Sequence, residues 1–145
     1  MALGPSVGGF VYFAGAKFLG YSAFAHFLRK KFDDRGEGPK RTFQIGGVRT
    51  LIGVAAGISY GLLMGLAWET ISTTHEMLGW VLFFGGMLPV RFGEWYWLLR
   101  IAFKNKVRGN PQTVPSLVQG TLVSYGLDAI GVAAAFVLPG GMWVC

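Results

Sequence analysis

Charged residues lie inside long apolar stretches of this sequence, where they could bind one another or carry ions. These residues are Lys17, Arg91, Glu94 and Asp128. A charge at the centre of a membrane-spanning helix costs roughly 2.5–3.5 kcal/mol on insertion scales, so we expect these side chains to face protein rather than lipid. Arg91 and Glu94 are three residues apart and can pair along one helix face. Lys17 and Asp128 are then expected to pair between two other helices.

Two functions are open to such a buried charge cluster. Ion pairs can fix the register of packed helices. Alternatively, the cluster can form a proton or ion path, in which Glu94 and Asp128 titrate while Arg91 and Lys17 tune their pKa values. Balanced pairing favours the first function, because a neutralised cluster is a poor relay. Arg49, near one end of its apolar run, is expected to extend its side chain toward the membrane surface.

Glycine recurs at every fourth position in one apolar run, at Gly53, Gly57, Gly61 and Gly65. Residues four apart lie on the same face of a helix. In lipid, helices associate largely through close backbone packing, which small residues permit. The stripe therefore predicts a helix-packing seam for another helix of the chain or for a second protomer. A stripe that lines a pore or faces a cofactor is the alternative.

Other candidate chemistry is sparse. His26 and His75 are predicted to lie at opposite membrane faces, about 30 Å apart, so they cannot ligate one haem or share one zinc. Cys145 is the single cysteine, which excludes an internal disulfide. The glycine spacing does not match a phosphate-binding loop. The sequence therefore predicts no catalytic residues, no metal site and no cofactor, while an enzymatic role and a bound lipid or pigment remain open.

The elements that must position these residues are apolar runs, each long enough to span a bilayer as a helix. Hydrophobic residues make up 52% of the 145 residues and charged residues 14%, whereas a soluble domain is about one quarter charged. The sequence predicts an all-α fold, a four-helix transmembrane bundle in one domain. Its spans are expected at about 3–28, 45–68, 77–103 and 116–138.

The third run contains a proline and a cluster of aromatic residues, Trp95, Tyr96 and Trp97. These aromatics lie deep for an interfacial belt. We expect one long helix, tilted or kinked at the proline. In the alternative, the span ends near Val90 and the following residues lie along the membrane surface.

Basic residues are concentrated in two of the predicted connections, 29–41 and 104–108, whereas the connection at 69–76 and both tails contain no lysine or arginine. The positive-inside rule then predicts that both basic loops are cytoplasmic and both termini lie on the non-cytoplasmic side. The first basic cluster follows the first apolar run, which indicates a retained span rather than a cleaved signal peptide. The net charge of +6 thus arises in loops and does not indicate nucleic-acid binding.

The small size, the glycine seam and the lack of a catalytic pattern predict a non-catalytic subunit of a larger membrane complex. Its location would be an inner, plasma or organellar membrane, as a multi-pass protein. The expected partners are membrane lipids and other membrane subunits or a second copy, and no nucleic acid. The alternative is a small oligomeric ion- or proton-coupled transporter or channel that uses Glu94 and Asp128.

Overall fold

The computed structural model describes residues 7–32, 38–72 and 76–135, and these residues form four α-helices. The helices are α1, Val7–Lys31; α2, Gly38–Ser72; α3, Glu76–Phe103; and α4, Thr113–Ala135. A short 3₁₀ helix, Lys104–Lys106, follows α3 directly. The predicted all-α, four-helix architecture is therefore confirmed.

The first two helices extend into the sequence that was predicted to be a loop. α2 begins at Gly38, which has a φ of +55°, and Pro39 follows in the first turn. Proline suits this position because the amide hydrogens of the first turn have no partner within the helix. At the other side of the connection, the last turn of α1 contains Arg29, Lys30 and Lys31. Cations there are stabilised by the negative end of the helix dipole.

The third helix is continuous from Glu76 to Phe103 and includes Pro89. The residues after Val90 therefore continue the helix and do not form a separate surface element. Trp95 is buried in the bundle, whereas Trp97 is exposed.

The described helices form a ring in which α1 and α3 each pack against both α2 and α4. Neighbouring helices run antiparallel. Arg41 near the start of α2 donates to the carbonyl of Ala102 near the end of α3, and Arg49 further along α2 contacts Glu94 earlier in α3. The bundle thus has an up-and-down topology, as short connections between helices favour.

This topology brings the two basic segments of the sequence to one end of the bundle. The end of α1 and the start of α4 meet there, and Lys31 donates to the Gln119 side chain at 3.1 Å. We call this the basic end. Its described cations are Arg29, Lys30, Lys31, Lys40, Arg41, Arg100, Lys104, Lys106 and Arg108.

The hydrophobic core fills the half of the bundle nearest the basic end. Leu28 and Leu99 have no exposed surface, and the rings of Phe32 and Phe103 stack with centroids 4.9 Å apart. The cluster of buried apolar residues also contains Tyr21, Ala25, Ile45, Trp95, Leu98, Val107 and Leu117.

The outer surface of the bundle is strongly apolar. Large exposed hydrophobic side chains occur on every described helix, among them Val11, Leu19, Leu62, Leu66, Trp97, Val114 and Leu122. Within the described residues, one helical segment is long and apolar enough to cross a membrane. This segment is Gly38–Leu66, with a mean hydropathy of 1.4, and 11% of its most apolar stretch is buried.

The first two helices approach closely at Ser22 and Gly46. A Cβ atom on Gly46 would lie 2.9 Å from both the Cα and the amide nitrogen of Ser22. Because these are backbone atoms, they can make room only if α1 and α2 separate.

We expect Gly46→Ala to destabilise the protein by about 1–3 kcal/mol, the usual cost of overpacking a tight contact. Thermal unfolding of the purified protein, followed by circular dichroism, measures this effect. Gly15→Ala is the matched control, because a Cβ there meets no atom within 4 Å. Equal melting temperatures for the two variants would contradict the tight crossing.

Candidate functional site

Charged side chains from all four helices meet in the middle of the bundle. None of them is more than 6% exposed. We call them the charge cluster, which consists of Lys17 of α1, Arg49 of α2, Arg91 and Glu94 of α3, and Asp128 of α4. Four of these residues are the ones that the sequence singled out, and Arg49 is an addition.

Asp128 contacts a cation through each of its oxygen atoms. Lys17 Nζ lies 2.6 Å from Oδ1, and Arg91 Nη2 lies 2.8 Å from Oδ2. Asp128 of α4 therefore connects α1 with α3. The pairing of Lys17 with Asp128 that charge balance suggested is thus present as a direct contact.

Glu94 is also held between two cations. Its Oε2 atom lies 2.6 Å from Arg49 Nη2 and 3.2 Å from Arg91 Nη1. Because Arg91 contacts both carboxylates, the ion pairs form a continuous chain of alternating charge. Its order is Lys17, Asp128, Arg91, Glu94 and Arg49.

The prediction that Arg49 extends to the membrane surface is wrong, because its side chain has no exposed surface. α2 begins at Gly38, eleven residues earlier, which places Arg49 about 16 Å inside the helix. Its guanidinium lies 4.7 Å from the ring centroid of Tyr21 and 4.8 Å from that of Trp95. Such cation–π contacts stabilise a desolvated cation.

Ser124, beside Arg49, is a hydrogen-bond partner shared by several side chains and was not predicted from the sequence. Its hydroxyl oxygen accepts hydrogen bonds from Trp95 Nε1 at 3.0 Å and from Arg49 Nη2 at 3.1 Å. The Tyr21 hydroxyl lies 3.3 Å from the same oxygen. A usable signal was present, since Ser124 stands four residues before Asp128 and so shares its helix face.

The charge cluster contains three cations and two carboxylates, which gives it a formal charge of +1. Several of its buried polar atoms have no hydrogen-bond partner among the described residues: Nε and Nη1 of Arg49, Nε of Arg91, and Oε1 of Glu94. Burial of charge without full compensation is costly. We therefore expect the stability of the folded bundle to fall more when a carboxylate is lost than when a cation is lost.

The glycine stripe has two different environments. A Cβ on Gly53 would lie 3.0 Å from Arg49 Nη1, so this glycine leaves room for the guanidinium of the cluster. At Gly61 and Gly65 an added Cβ meets nothing within 4 Å, and Gly57 is half-buried. Gly61 and Gly65 thus face open space. That a partner helix packs on the glycine stripe stays a prediction.

Of the residues considered for metal binding, only His26 lies within the described part of the chain. His26 lies exposed on α1 toward the basic end. His75 and Cys145 lie outside the described residues. In residues 7–32, 38–72 and 76–135, no three or more His, Cys, Asp or Glu side chains are grouped as metal ligands would be.

Two cavities lie away from the charge cluster. One, of about 870 Å³, opens between α1 and the start of α2. The other, of about 60 Å³, lies between α2 and α3 near Arg41. Neither is lined by a member of the charge cluster.

The chain matches no protein-family model, no curated protein and no solved structure. Its function must therefore be argued from the bundle, the charge cluster and the exposed surfaces.

We expect Asp128→Asn to destabilise the protein by about 3–5 kcal/mol, because it leaves three buried cations against one carboxylate. Lys17→Met should cost clearly less, since it leaves two cations and two carboxylates. Thermal unfolding of both purified variants under the same conditions measures the difference. An equal loss of stability in the two variants would contradict the importance of the excess positive charge.

Proposed function

We propose that this protein is a four-span integral membrane protein that acts as a non-catalytic subunit of a larger membrane assembly. In this proposal the outer half of α2 binds a transmembrane helix of another subunit or of a second copy. The observation that carries it is the exposed, apolar and glycine-bearing segment 57–66 of α2.

The distribution of side chains supports a membrane location. The bundle buries charges in its centre and exposes large apolar residues on every described helix. Soluble monomers rarely expose contiguous apolar patches beyond a few hundred Å². Lipid, in contrast, is the solvent for which an apolar exterior is favourable, and intramembrane charges are tolerated when they pair inside a bundle. Gly38–Leu66 also has the length and hydropathy of a span.

The exposed surface of segment 57–66 of α2 favours a protein partner in addition to lipid. Ile58, Leu62 and Leu66 are all more than half exposed, and the glycines between them have no neighbour within 4 Å of an added Cβ. Each interior glycine costs roughly 1 kcal/mol of helix propensity relative to alanine. A partner helix that packs closely on Gly61 and Gly65 would offset that cost through backbone contact.

The charge cluster supports the same proposal because its ion pairs fix the positions of the four helices relative to one another. Ion pairs link α1 to α4, α4 to α3, and α3 to α2. Arg49, which lies just below the glycine stripe, is itself held by contacts from three helices. Segment 57–66 of α2 therefore has one register and one orientation relative to the other helices.

We expect Gly61→Leu and Gly65→Leu to abolish co-purification of a stoichiometric partner, or dimerisation, in mild detergent. The larger side chains fill the groove that the partner helix needs. Because both positions face open space, the fold should be retained and the melting temperature should not fall. Gly126→Leu is the matched control, since this glycine of α4 is also unobstructed and lies off the stripe. Loss of the partner in all three variants would contradict the seam, and so would its retention in all three.

A second candidate function is ion- or proton-coupled transport through the charge cluster. It is favoured by the unpartnered Oε1 of Glu94 and the unpartnered nitrogens of Arg49, which could bind a proton or a small anion. Glu94 and Asp128 would be the titrating groups. Against it, both carboxylates are already held in ion pairs with cations 2.6–3.2 Å away.

We expect liposomes that contain the purified protein and a pH-sensitive dye to show no proton flux above lipid alone, because the carboxylates are held in ion pairs. Glu94→Gln and Asp128→Asn serve as comparison variants. Flux in the native protein that Glu94→Gln abolishes, while the circular dichroism spectrum is unchanged, would favour transport over the subunit function.

A further inference from the structure

A cavity of about 870 Å³ opens between α1 and the first turns of α2 at the basic end. Its wall is apolar on one side, where Leu19, Ala23 and Phe43 line it. The imidazole of His26 and the cationic side chains of Arg29 and Lys30 line its other part. The cavity is therefore amphipathic, with its polar end at the basic end of the bundle.

The apolar part has the dimensions of one lipid chain. The lining residues of α1 extend from Leu19 to Lys30, which corresponds to about 16 Å along the helix axis. This length is about half of the 30 Å hydrocarbon thickness of a bilayer. A chain that lies along this wall would thus reach from the bilayer centre to the basic end, as an acyl chain of one leaflet does.

The polar end has the features of an anion site. Arg29 is 8% exposed, and its guanidinium is oriented by the carbonyl of Gly38 and by the Thr42 hydroxyl, 2.9 Å away. The first turn of α2, which lines the same cavity, contains no acidic residue. The positive end of the α2 dipole is therefore not neutralised within that turn, and backbone amides at such an end bind phosphate.

We propose that this cavity binds an anionic phospholipid of the leaflet at the basic end. One acyl chain lies against Leu19, Ala23 and Phe43, and the phosphate lies at Arg29, Lys30 and the start of α2. This inference rests on the proposed membrane location and adds a lipid site to it.

Native mass spectrometry of the detergent-purified protein tests the headgroup. Phosphatidylglycerol and phosphatidylcholine with the same acyl chains are the two probes. We expect phosphatidylglycerol to bind more tightly, and Lys30→Gln to weaken it about fivefold, the typical effect of one basic residue near an anionic lipid. Arg108→Gln is the matched control, because it removes an equal charge at the same end outside the cavity, and it should leave binding unchanged.

The chain-binding wall is tested by Ala23→Phe, which fills the cavity and should abolish retention of phosphatidylglycerol. Ala129→Phe, at an exposed alanine of α4, should not. Equal binding of the two lipids, or an equal effect of Lys30→Gln and Arg108→Gln, would overturn the inference. Full competition by glycerol phosphate, which has no chains, would also overturn it, because the site would then be one for a small anion.

Alkaline carbonate extraction of cell membranes separates failure of this inference from failure of the proposed function. A protein that stays in the membrane but shows no preference for phosphatidylglycerol overturns the lipid site alone. A protein that carbonate releases overturns the membrane location, and the lipid site with it.

Discussion

The rest of this bundle depends on a chain of five buried charges that alternate in sign. It begins at Lys17 of α1, ends at Arg49 of α2, and passes through α4 and α3 between them. A shift of any helix by one turn, about 5.4 Å, would separate ion pairs that now lie 2.6–3.2 Å apart. An uncompensated buried charge costs about 3–5 kcal/mol, so only one register of the four helices satisfies the cluster.

The cluster also divides the molecule into two parts with different packing. Toward the basic end, aromatic and aliphatic side chains fill the space between the helices, and Trp95 lies directly against Gly120, with indole atoms 2.5–2.9 Å from the position of an added Cβ. On the other side of the cluster, the segment of α2 beyond Gly57 is largely exposed. The charge cluster therefore lies between the tightly packed part of the bundle and the exposed segment of α2.

Much of the architecture could be predicted from the sequence because membrane-length apolar runs and charge balance are local signals. The helices follow from composition, and the pairing of Lys17 with Asp128 follows from the opposite signs and similar depths of the two residues. The burial of Arg49 could not be predicted. It depends on where α2 begins, since the helix starts at Gly38, eleven residues before Arg49. It also depends on Tyr21 and Trp95, which come from two other helices and contact the guanidinium.

The sequence by itself determined that the chain is helical, that its basic residues fall in two segments, and that its charges inside apolar runs need partners. These properties depend on residue type and on spacing within one helix. Only the tertiary structure decided that Ser124 is shared by Arg49 and Trp95, that Gly53 leaves room for a guanidinium, and that Gly61 and Gly65 face outward. Such contacts depend on the rotation of each helix about its axis, which is set by packing among all four helices and is not encoded in any one of them.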